Sequence, residues 1–588
     1  MAFSIRRQRP KRIVISTRWQ PRSDLKSLEA PVSMPGLMWK ILQARGLTSK
    51  EEVNSHLAPT LQNLTNPYEL DGMDPAVERL VEAFRNKEKI VLYGDFDLDG
   101  TSGVALLLKG MSLLGFENLE TYQPKRLTEG YGLHTHAIEQ FHSEGISLVV
   151  TIDVGITANE AVSRANELGV DVIITDHHLP AEALPEAVAI VNPNKGHCPS
   201  QLGHLCGTGV AFYLVLALRM KFRELELMDL DFDPKSLLDC FVIGTLTDLV
   251  PLIGENRILV KHGLKELAQT QRPGLRVLME ELGLAGRELT SQEVAIRFAP
   301  KLNALSRMET GIFPLDIYLE ESTDEAIRLV SEVMANNEMR LRLQAEAEED
   351  AAAQAKELGQ QGYVWVWSDK YHKGVVGLVA TKLSQNLGVP AFVGSLNPKN
   401  GKITGSARIP GPEAGSVLQA LEFASETLNK FGGHAPAAGF EVSSDNAEEL
   451  DRLFSEYYSD LNEAPLETST LFYDASGSLA EVTPQFMNWF QHLGPFGSGW
   501  EPVTLCLENL EVKGVRELRG GHLRLDVADR LNPHRLEALW FSPPRDHQFA
   551  AISQPIGEVV DLLCEPQWNY FAGRQKLQLL IRDLRLRV

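Results

Sequence analysis

Residues 89–100 read Lys-Ile-Val-Leu-Tyr-Gly-Asp-Phe-Asp-Leu-Asp-Gly, and this stretch decides the fold. Ile90 to Tyr93 form an apolar run of strand length. The run leads directly into the alternating acids Asp95, Asp97 and Asp99, then into Gly100 and the helical pattern TSGVALLLKGMSLLG. The same order recurs twice. SLVVTI ends at Asp153 and precedes the helical ANEAVSRANELG. DVIIT ends at Asp176, His177 and His178, and AVAIVNP follows as another strand. Strand, loop and helix in alternation predict a mostly parallel α/β sheet. Open parallel sheets collect their ligands at the carboxyl ends of the strands, where these acids and imidazoles fall.

Acids after a strand could simply decorate a helix N-terminus, which the macrodipole favours. A calcium loop of the EF-hand type would need a distal Glu that this segment lacks. Asp153 and His177 on neighbouring strand ends decide for a metal site. A carboxylate closing the otherwise apolar SLVVTI strand is costly unless it is paired. Asp248, in GTLTDLVPL, adds a fourth strongly placed carboxylate. Carboxylates and imidazole without thiolate suit Mn²⁺ or Mg²⁺, and two such ions about 3.5–4 Å apart hydrolyse phosphate esters. The candidate catalytic and metal-site residues are Asp95, Asp97, Asp99, Asp153, His177, His178 and Asp248. His197, Cys198, His204 and Cys206 lack the spacing of a zinc module and read as loop packing.

The chain of 588 residues is long enough for three or four domains. With 44% hydrophobic and 23% charged residues it is of ordinary globular composition. No apolar run approaches bilayer length, and the start carries no apolar signal core. Five cysteines in so long a chain fit a reducing compartment, and the expected location is the cytoplasm. The net charge of −21 speaks against binding nucleic acid through overall charge, so basic residues must be read locally. The first of these is a basic N-terminal segment, from Arg6 to Arg22, read as a tail or an edge strand around RIVIS.

Residues 1–80 combine that basic start with helical patterns in MWKILQARG, SKEEVNSHL and PAVERLVEAFRNK. Residues 81–320 hold the parallel α/β pattern and then a helical section. Residues 321–360 form one Ala- and Glu-rich helical pattern with no Gly or Pro before Gly359, read as a helix connecting two lobes. Residues 361–462 repeat the α/β alternation in GYVWVWSD, VGLVATKLSQNLG and PAFVGS. Residues 463–588 carry short strands separated by turns, the pattern of a small barrel.

Arg126 in PKRLTEGYG, Arg307 in KLNALSRM, Ser406 and Arg408 in GSARIPG, and His434 in GGHAPAAG are candidates for holding phosphate. Arginine forks and Gly-rich backbone are what a phosphate oxyanion needs. In the last segment, arginines from Arg516 to Arg587 alternate with Trp540, Phe541, Trp568, Tyr570 and Phe571. Such a face can hold single-stranded nucleic acid by charge and stacking, or can be barrel core with solvated arginines between.

The set DFDLDG, TID, TDHH, GTLTDLVPL, KLNALSRM, YHKGVVGLVA, GSARIPG, GGHAPAAG and PFGSGWEP resembles the DHH phosphoesterases, from about residue 35 to the end. In length and order of motifs it is similar to their single-strand-specific DNA exonucleases. The resemblance implies a DHH lobe and a DHHA1 lobe joined by a long helix, and a C-terminal OB-fold. It implies 5′-to-3′ hydrolysis of single-stranded DNA to 5′-mononucleotides in repair and recombination, using two Mn²⁺ or Mg²⁺ ions. Asp153 would bridge the ions, with Asp95 and Asp248 favouring one and Asp97 and His177 the other. Arg126, Arg307, Ser406, Arg408 and His434 would contact phosphate. Single-strand-binding protein and a RecQ-type helicase would be partners. Lys301 and Tyr371-His372 depart from the family's commoner Arg and Trp-His. The rival readings are a phosphodiesterase of cyclic dinucleotides or short oligonucleotides, which would need only the two catalytic lobes, and a non-catalytic DNA-binding scaffold, which the complete acidic set disfavours.

Overall fold

The computed structural model describes residues 18–23, 29–196, 198–227, 232–359, 362–411, 414–459, 470–530, 534–541, 543, 549, 555–571 and 574–587. The basic N-terminal segment before Arg18, and His197 of the discounted zinc set, lie outside them. The chain forms two compact units. One holds Thr65–Val250 and His262–Leu466; the other holds N-terminal residues up to Leu64, Pro251–Lys261 and the chain from Glu467.

The first unit opens with a five-stranded sheet ordered Leu119–Tyr122, Ile90–Gly94, Leu148–Ile152, Asp171–Thr175 and Ala189–Val191. Every neighbouring pair is parallel. Ile90–Gly94 and Leu148–Ile152 are buried at every residue, as expected of strands covered on both faces. The ladder continues one residue past three strand ends. Asp95 N–H donates to the Ile152 carbonyl, Asp153 N–H to Thr175 and Asp176 N–H to Val191. Three acids are thereby fixed side by side on adjacent strands.

After a helical section the 36-residue helix Thr323–Leu358 begins, with Ser322 as its N-cap. At 1.5 Å per residue it is about 54 Å long. Ala347, Ala351 and Ala355, one turn apart, are buried against Val364, Val376, Val379 and Leu383 of the second lobe. Small residues at this spacing let the helix lie close to what it packs on. The Tyr371 hydroxyl adds a 2.7 Å hydrogen bond to Asp350 on the helix. At the departure from Trp-His, then, the tyrosine joins helix and lobe through a hydroxyl that Trp could not supply. The second lobe is a mixed sheet ordered Leu428–His434, Ala437–Ser443, Lys402–Arg408, Ala391–Asn397 and Val364–Ser368.

The second unit is an OB-like barrel. Strands Leu505–Leu518, His522–Asp529, Arg535–Trp540, Arg574–Leu586 and Val559–Phe571 pair in that order, and the last pairs back to the first. Leu37, Met38, Ile41 and Leu42 from the N-terminal helix Gly36–Ala44 share one core with Phe486, Leu505, Val512 and Leu579. The strand Arg18–Pro21 pairs in parallel with Thr470–Tyr473. Buried Asp474 accepts from Arg22 at 3.0 Å and from Arg45 at 2.8 Å.

Candidate metal centre and phosphate pocket

Asp97 is the N-cap of the helix Leu98–Leu113, accepting from the N–H groups of Asp99 (2.8 Å) and Gly100 (3.1 Å). One of its oxygens is thus committed to the backbone. Asp99 is more fully engaged. Its two oxygens accept from Gly207 N–H at 2.6 Å and Thr208 N–H at 2.9 Å, the start of the helix Gly207–Glu224. This approach depends on glycine. A Cβ at Gly207 would stand 2.4 Å from the Asp153 Cβ, and one at Gly244 would stand 2.1 Å from Thr208 Oγ1. Asp99 therefore docks a second helix end onto the site.

Asp153 adopts φ +63°, a left-handed conformation that costs a non-glycine residue roughly 1–2 kcal/mol. Such strain persists where surrounding structure imposes it, commonly at functional sites. Its Oδ1 lies 3.1 Å from His177 Nε2. Asp248 follows the helix Leu238–Thr247 and comes within 3.6 Å of the same nitrogen; Asp99 is 3.9 Å away.

Asp95 Oδ1, Asp153 Oδ1 and His177 Nε2 are buried and make no hydrogen bond. Burial first, then the surrounding acids, raise the carboxyls of Asp95 and Asp153 well above the usual range and that of Asp248 to about 8. Burial lowers the His177 imidazole, favouring its neutral, ligating form. Like charges and orphaned acceptors gathered in one place call for a cation. Three sets of donor atoms lie close enough to share one: Asp95, Asp97 and Asp153; Asp99, His177 and Asp248; and Asp153, His177 and His178. The first two sets have no common member, so donors for two ions are present. Asp153 belongs to both the first and the third set, so its carboxylate reaches both groups. No such set among the described residues includes Cys198, His204 or Cys206.

His178 is set apart by Asp176. That carboxylate takes N–H groups from Ile156, His177 and His178 and the His178 ring Nδ1 at 2.8 Å. Burial alone would lower the imidazole, but the Asp176 hydrogen bond and the other acids raise it to about 9. Asp176 serves as the acid that orients and charges His178. Tyr131 Oη stands 3.2 Å from the same nitrogen and is half exposed.

A second cluster has the opposite sign. Arg126 lies 4.8 Å over the Phe96 ring, and the Leu127 N–H donates to the Glu309 carboxylate, which fixes the loop. Arg307 is anchored by a 3.2 Å hydrogen bond to the Gly374 carbonyl; a Cβ on Gly374 would meet the Arg307 carbonyl at 2.1 Å. Ser406 and Arg408 alternate on one strand and so share a face. A Cβ at Gly377 would stand 3.4 Å from Ser406 Oγ and 3.2 Å from Arg408 Nη2. Burial and the neighbouring Arg126, Arg340 and Arg408 push Arg307 down to about 9. Burial and Arg126 lower Arg408 as well. His434 ends the exposed edge strand Leu428–His434 and pairs with Ala437, whose partner on the other side is Arg408. Arg340, which no sequence motif singles out, comes from the long helix.

On the barrel, Arg516 and Arg524 sit directly opposite on adjacent strands, a like-charge pairing that Glu537, 3.7 Å from Arg524, offsets on one side. Phe541 and Tyr570 are exposed. Trp540 is core, while Arg582 pairs with Glu565 and Arg587 with Asp561 and Glu508. The barrel's aromatics and arginines thus divide between core, ion pairs and an open face.

Comparison with known proteins agrees with this anatomy. Residues 89–245 match the DHH family, N-terminal domain, residues 359–460 the DHHA1 domain, and residues 473–583 the RecJ OB domain. Fold and site together define a DHH-type phosphoesterase. Relatives called single-stranded-DNA-specific exonuclease RecJ include those of Salmonella typhimurium, 31% identical over 95% of this chain and 97% of that one, and of Escherichia coli, 32% identical over 95% and 97%. The crystal structure of RecJ in complex with Mn²⁺ from Thermus thermophilus superposes with a TM-score of 0.78 at 26% identity, covering 97% of this chain and 80% of that one. The chain belongs to the RecJ family.

Proposed function

We propose that this protein is a metal-dependent exonuclease that removes 5′-mononucleotides from single-stranded DNA in the 5′-to-3′ direction, in repair and recombination. The observation that carries the reading is the pair of opposite, uncompensated clusters in one compact unit. One lacks cations and the other lacks anions. A divalent metal supplies the first deficit and the phosphate of a strand end the second.

Asp95, Asp97 and Asp153 would hold one Mn²⁺ or Mg²⁺, and His177 and Asp248 the other, with Asp99 fixing the helix end behind them. When bound, two such ions lower the pKa of attacking water and stabilise charge on phosphoryl oxygens. The chain's own residues do the rest. His178, its Nδ1 committed to Asp176, offers Nε2 as a charged donor to a phosphate oxygen. Arg307, Arg408 and Arg126, with Ser406, hold the terminal phosphate as rigid forks. His434 stands at the edge of that lobe as a further contact. The open barrel face, with Arg516, Phe541 and Tyr570, suits the downstream strand. That extra domain favours long strands over cyclic dinucleotides. No helix among the described residues is long and apolar enough to cross a membrane; a cytoplasmic location, and work beside single-strand-binding protein and a RecQ-type helicase, rest on the family resemblance.

The test follows one single-stranded oligonucleotide labelled at either end, with Mn²⁺ or with EDTA, beside a duplex and a dinucleotide. Immediate release of labelled mononucleotide from the 5′ end only, with the duplex intact, is expected. Cleavage of the dinucleotide alone would replace the reading with a small-substrate phosphodiesterase. Binding without cleavage would replace it with a scaffold.

A further inference from the structure

The helix joining the two lobes carries a guanidinium with no acidic partner among the described residues. Arg340 donates to Asn337 Oδ1 at 2.8 Å and Gln344 Oε1 at 3.0 Å, both neutral amides one turn away on either side. Its Nε is buried and unpartnered. Neutral amides orient a guanidinium without cancelling its charge.

Its position follows from helix packing. Thr310 Oγ1 donates to Asn336 Oδ1 at 2.7 Å, and Met308, Met339 and Leu343 belong to one hydrophobic cluster. The C-terminal end of the helix Ala299–Met308 therefore lies beside the long helix near Asn336. One turn before Thr310 is Arg307, and one turn after Asn336 is Arg340. Arg307 and Arg340 are therefore near neighbours at this junction. Arg340 is also among the groups that depress Arg307, and burial depresses Arg340 itself. Lys301 is depressed by burial and then by Arg340. A buried cation beside another cation is retained at a cost unless an anion arrives.

We infer that Arg340 is a fourth arginine of the pocket for the strand's terminal phosphate, contributed by the connecting helix and held ready by Asn337 and Gln344. The inference rests on the terminal-phosphate reading of Arg126, Arg307 and Arg408 given above. In a strand with a 5′-hydroxyl Arg340 has nothing to bind; with a 5′-phosphate it makes a charge-assisted contact. Arg340 is then a specificity-determining residue for the chemical state of the 5′ end, acting on substrate binding.

The test measures kcat and KM of the full-length protein with Mn²⁺ on one oligonucleotide bearing either a 5′-phosphate or a 5′-hydroxyl. Arg340→Gln, which keeps a helix-favouring polar chain, is expected to raise KM on the phosphorylated strand by roughly 10- to 100-fold, the range of a hydrogen bond to a charged group. The hydroxyl strand should change by less than about 3-fold, so the ratio between the two collapses. Arg340→Lys should restore part of the ratio, since it keeps the charge and loses the fork. Equal loss on both strands in both variants would show a structural role and overturn the inference. An undiminished ratio in Arg340→Gln would overturn it too, leaving the pocket of Arg126, Arg307 and Arg408 intact. Wild-type protein that treats the two ends alike would bring down the terminal-phosphate reading and this inference together.

Discussion

The carboxylate cluster and the arginine cluster solve the same physical problem in opposite ways. Both bury like charges without enough partners of opposite sign. The acids are held by backbone: strand ladders continue through Asp95, Asp153 and Asp176, and helix N-termini donate to Asp97 and Asp99. The arginines are held by side-chain amides, single carbonyls and an aromatic ring, namely Asn337, Gln344, Gly374 and Phe96. Backbone donors leave little freedom to move, which suits a metal site of fixed geometry. Long chains pinned at one or two points can adjust, which suits a phosphate that enters and leaves. The difference teaches which cluster does chemistry and which grips.

The sharpest break would come from Asp153→Asn. Asn tolerates the left-handed backbone, so the fold should persist while Mn²⁺-dependent kcat falls by about 10²- to 10³-fold, the scale of losing one key electrostatic group. Activity within tenfold of wild type would remove Asp153 from the metal site. Arg307→Gln should act less and differently. A loss of about 10- to 100-fold in kcat/KM is expected, carried by KM on 5′-phosphorylated strands; a loss confined to kcat would place Arg307 at the reacting phosphate.

Thermal melts without metal separate ligands from scaffold within the acidic cluster. Asp153→Asn should raise stability in EDTA, because it relieves repulsion among buried acids, and should lose most of the gain that Mn²⁺ gives the wild type. That wild-type gain should reach about 2.7 kcal/mol at a hundred times the dissociation constant. Asp99→Asn should instead lower stability by roughly 1–3 kcal/mol with or without metal, because one of the two buried N–H groups loses its acceptor. If both variants shift the same way, the distinction between ligand and helix anchor fails. The smallest effect is expected for Tyr371→Phe, about 1 kcal/mol, because the hydroxyl donates to Asp350 and accepts from Gln354, and those two stay bonded to each other without it; a nuclease rate that also fell would mean the helix transmits more than stability.

The acidic cluster was legible because strand and ligand are neighbours in sequence. An apolar run followed at once by Asp95, Asp153 or Asp176 shows both the element and its end. Asp99 was legible as an acid near the site but not as a helix anchor, since Gly207 and Thr208 arrive from a helix more than a hundred residues away. Arg126, Arg307, Ser406 and Arg408 stood out through their motifs, but only the packing of three elements gathers them. Arg340 was hidden by its surroundings: in an Ala- and Glu-rich helix one more cation reads as a solvated face. The clue, weak until the partner helix is placed, is Asn336 and Asn337 one turn before it in a segment otherwise lacking Asn. The barrel was visible from strand spacing, whereas the division of its arginines between ion pairs and open face required the strand register.

The second unit is assembled from both ends of the chain, with the helix Gly36–Ala44 buried in a core whose other half begins near Ala475. During synthesis at roughly 5–20 residues per second, the N-terminal helix therefore waits on the order of a minute, while roughly 400 residues are added, before its apolar partners leave the ribosome. Leu37, Met38, Ile41 and Leu42 are exposed to other chains throughout that interval. The first unit, whose sheet strands lie close together in sequence, can close during the same time. Nascent chains stalled before the barrel is made should thus bind chaperones through their earliest segment, although the domain after it is already folded.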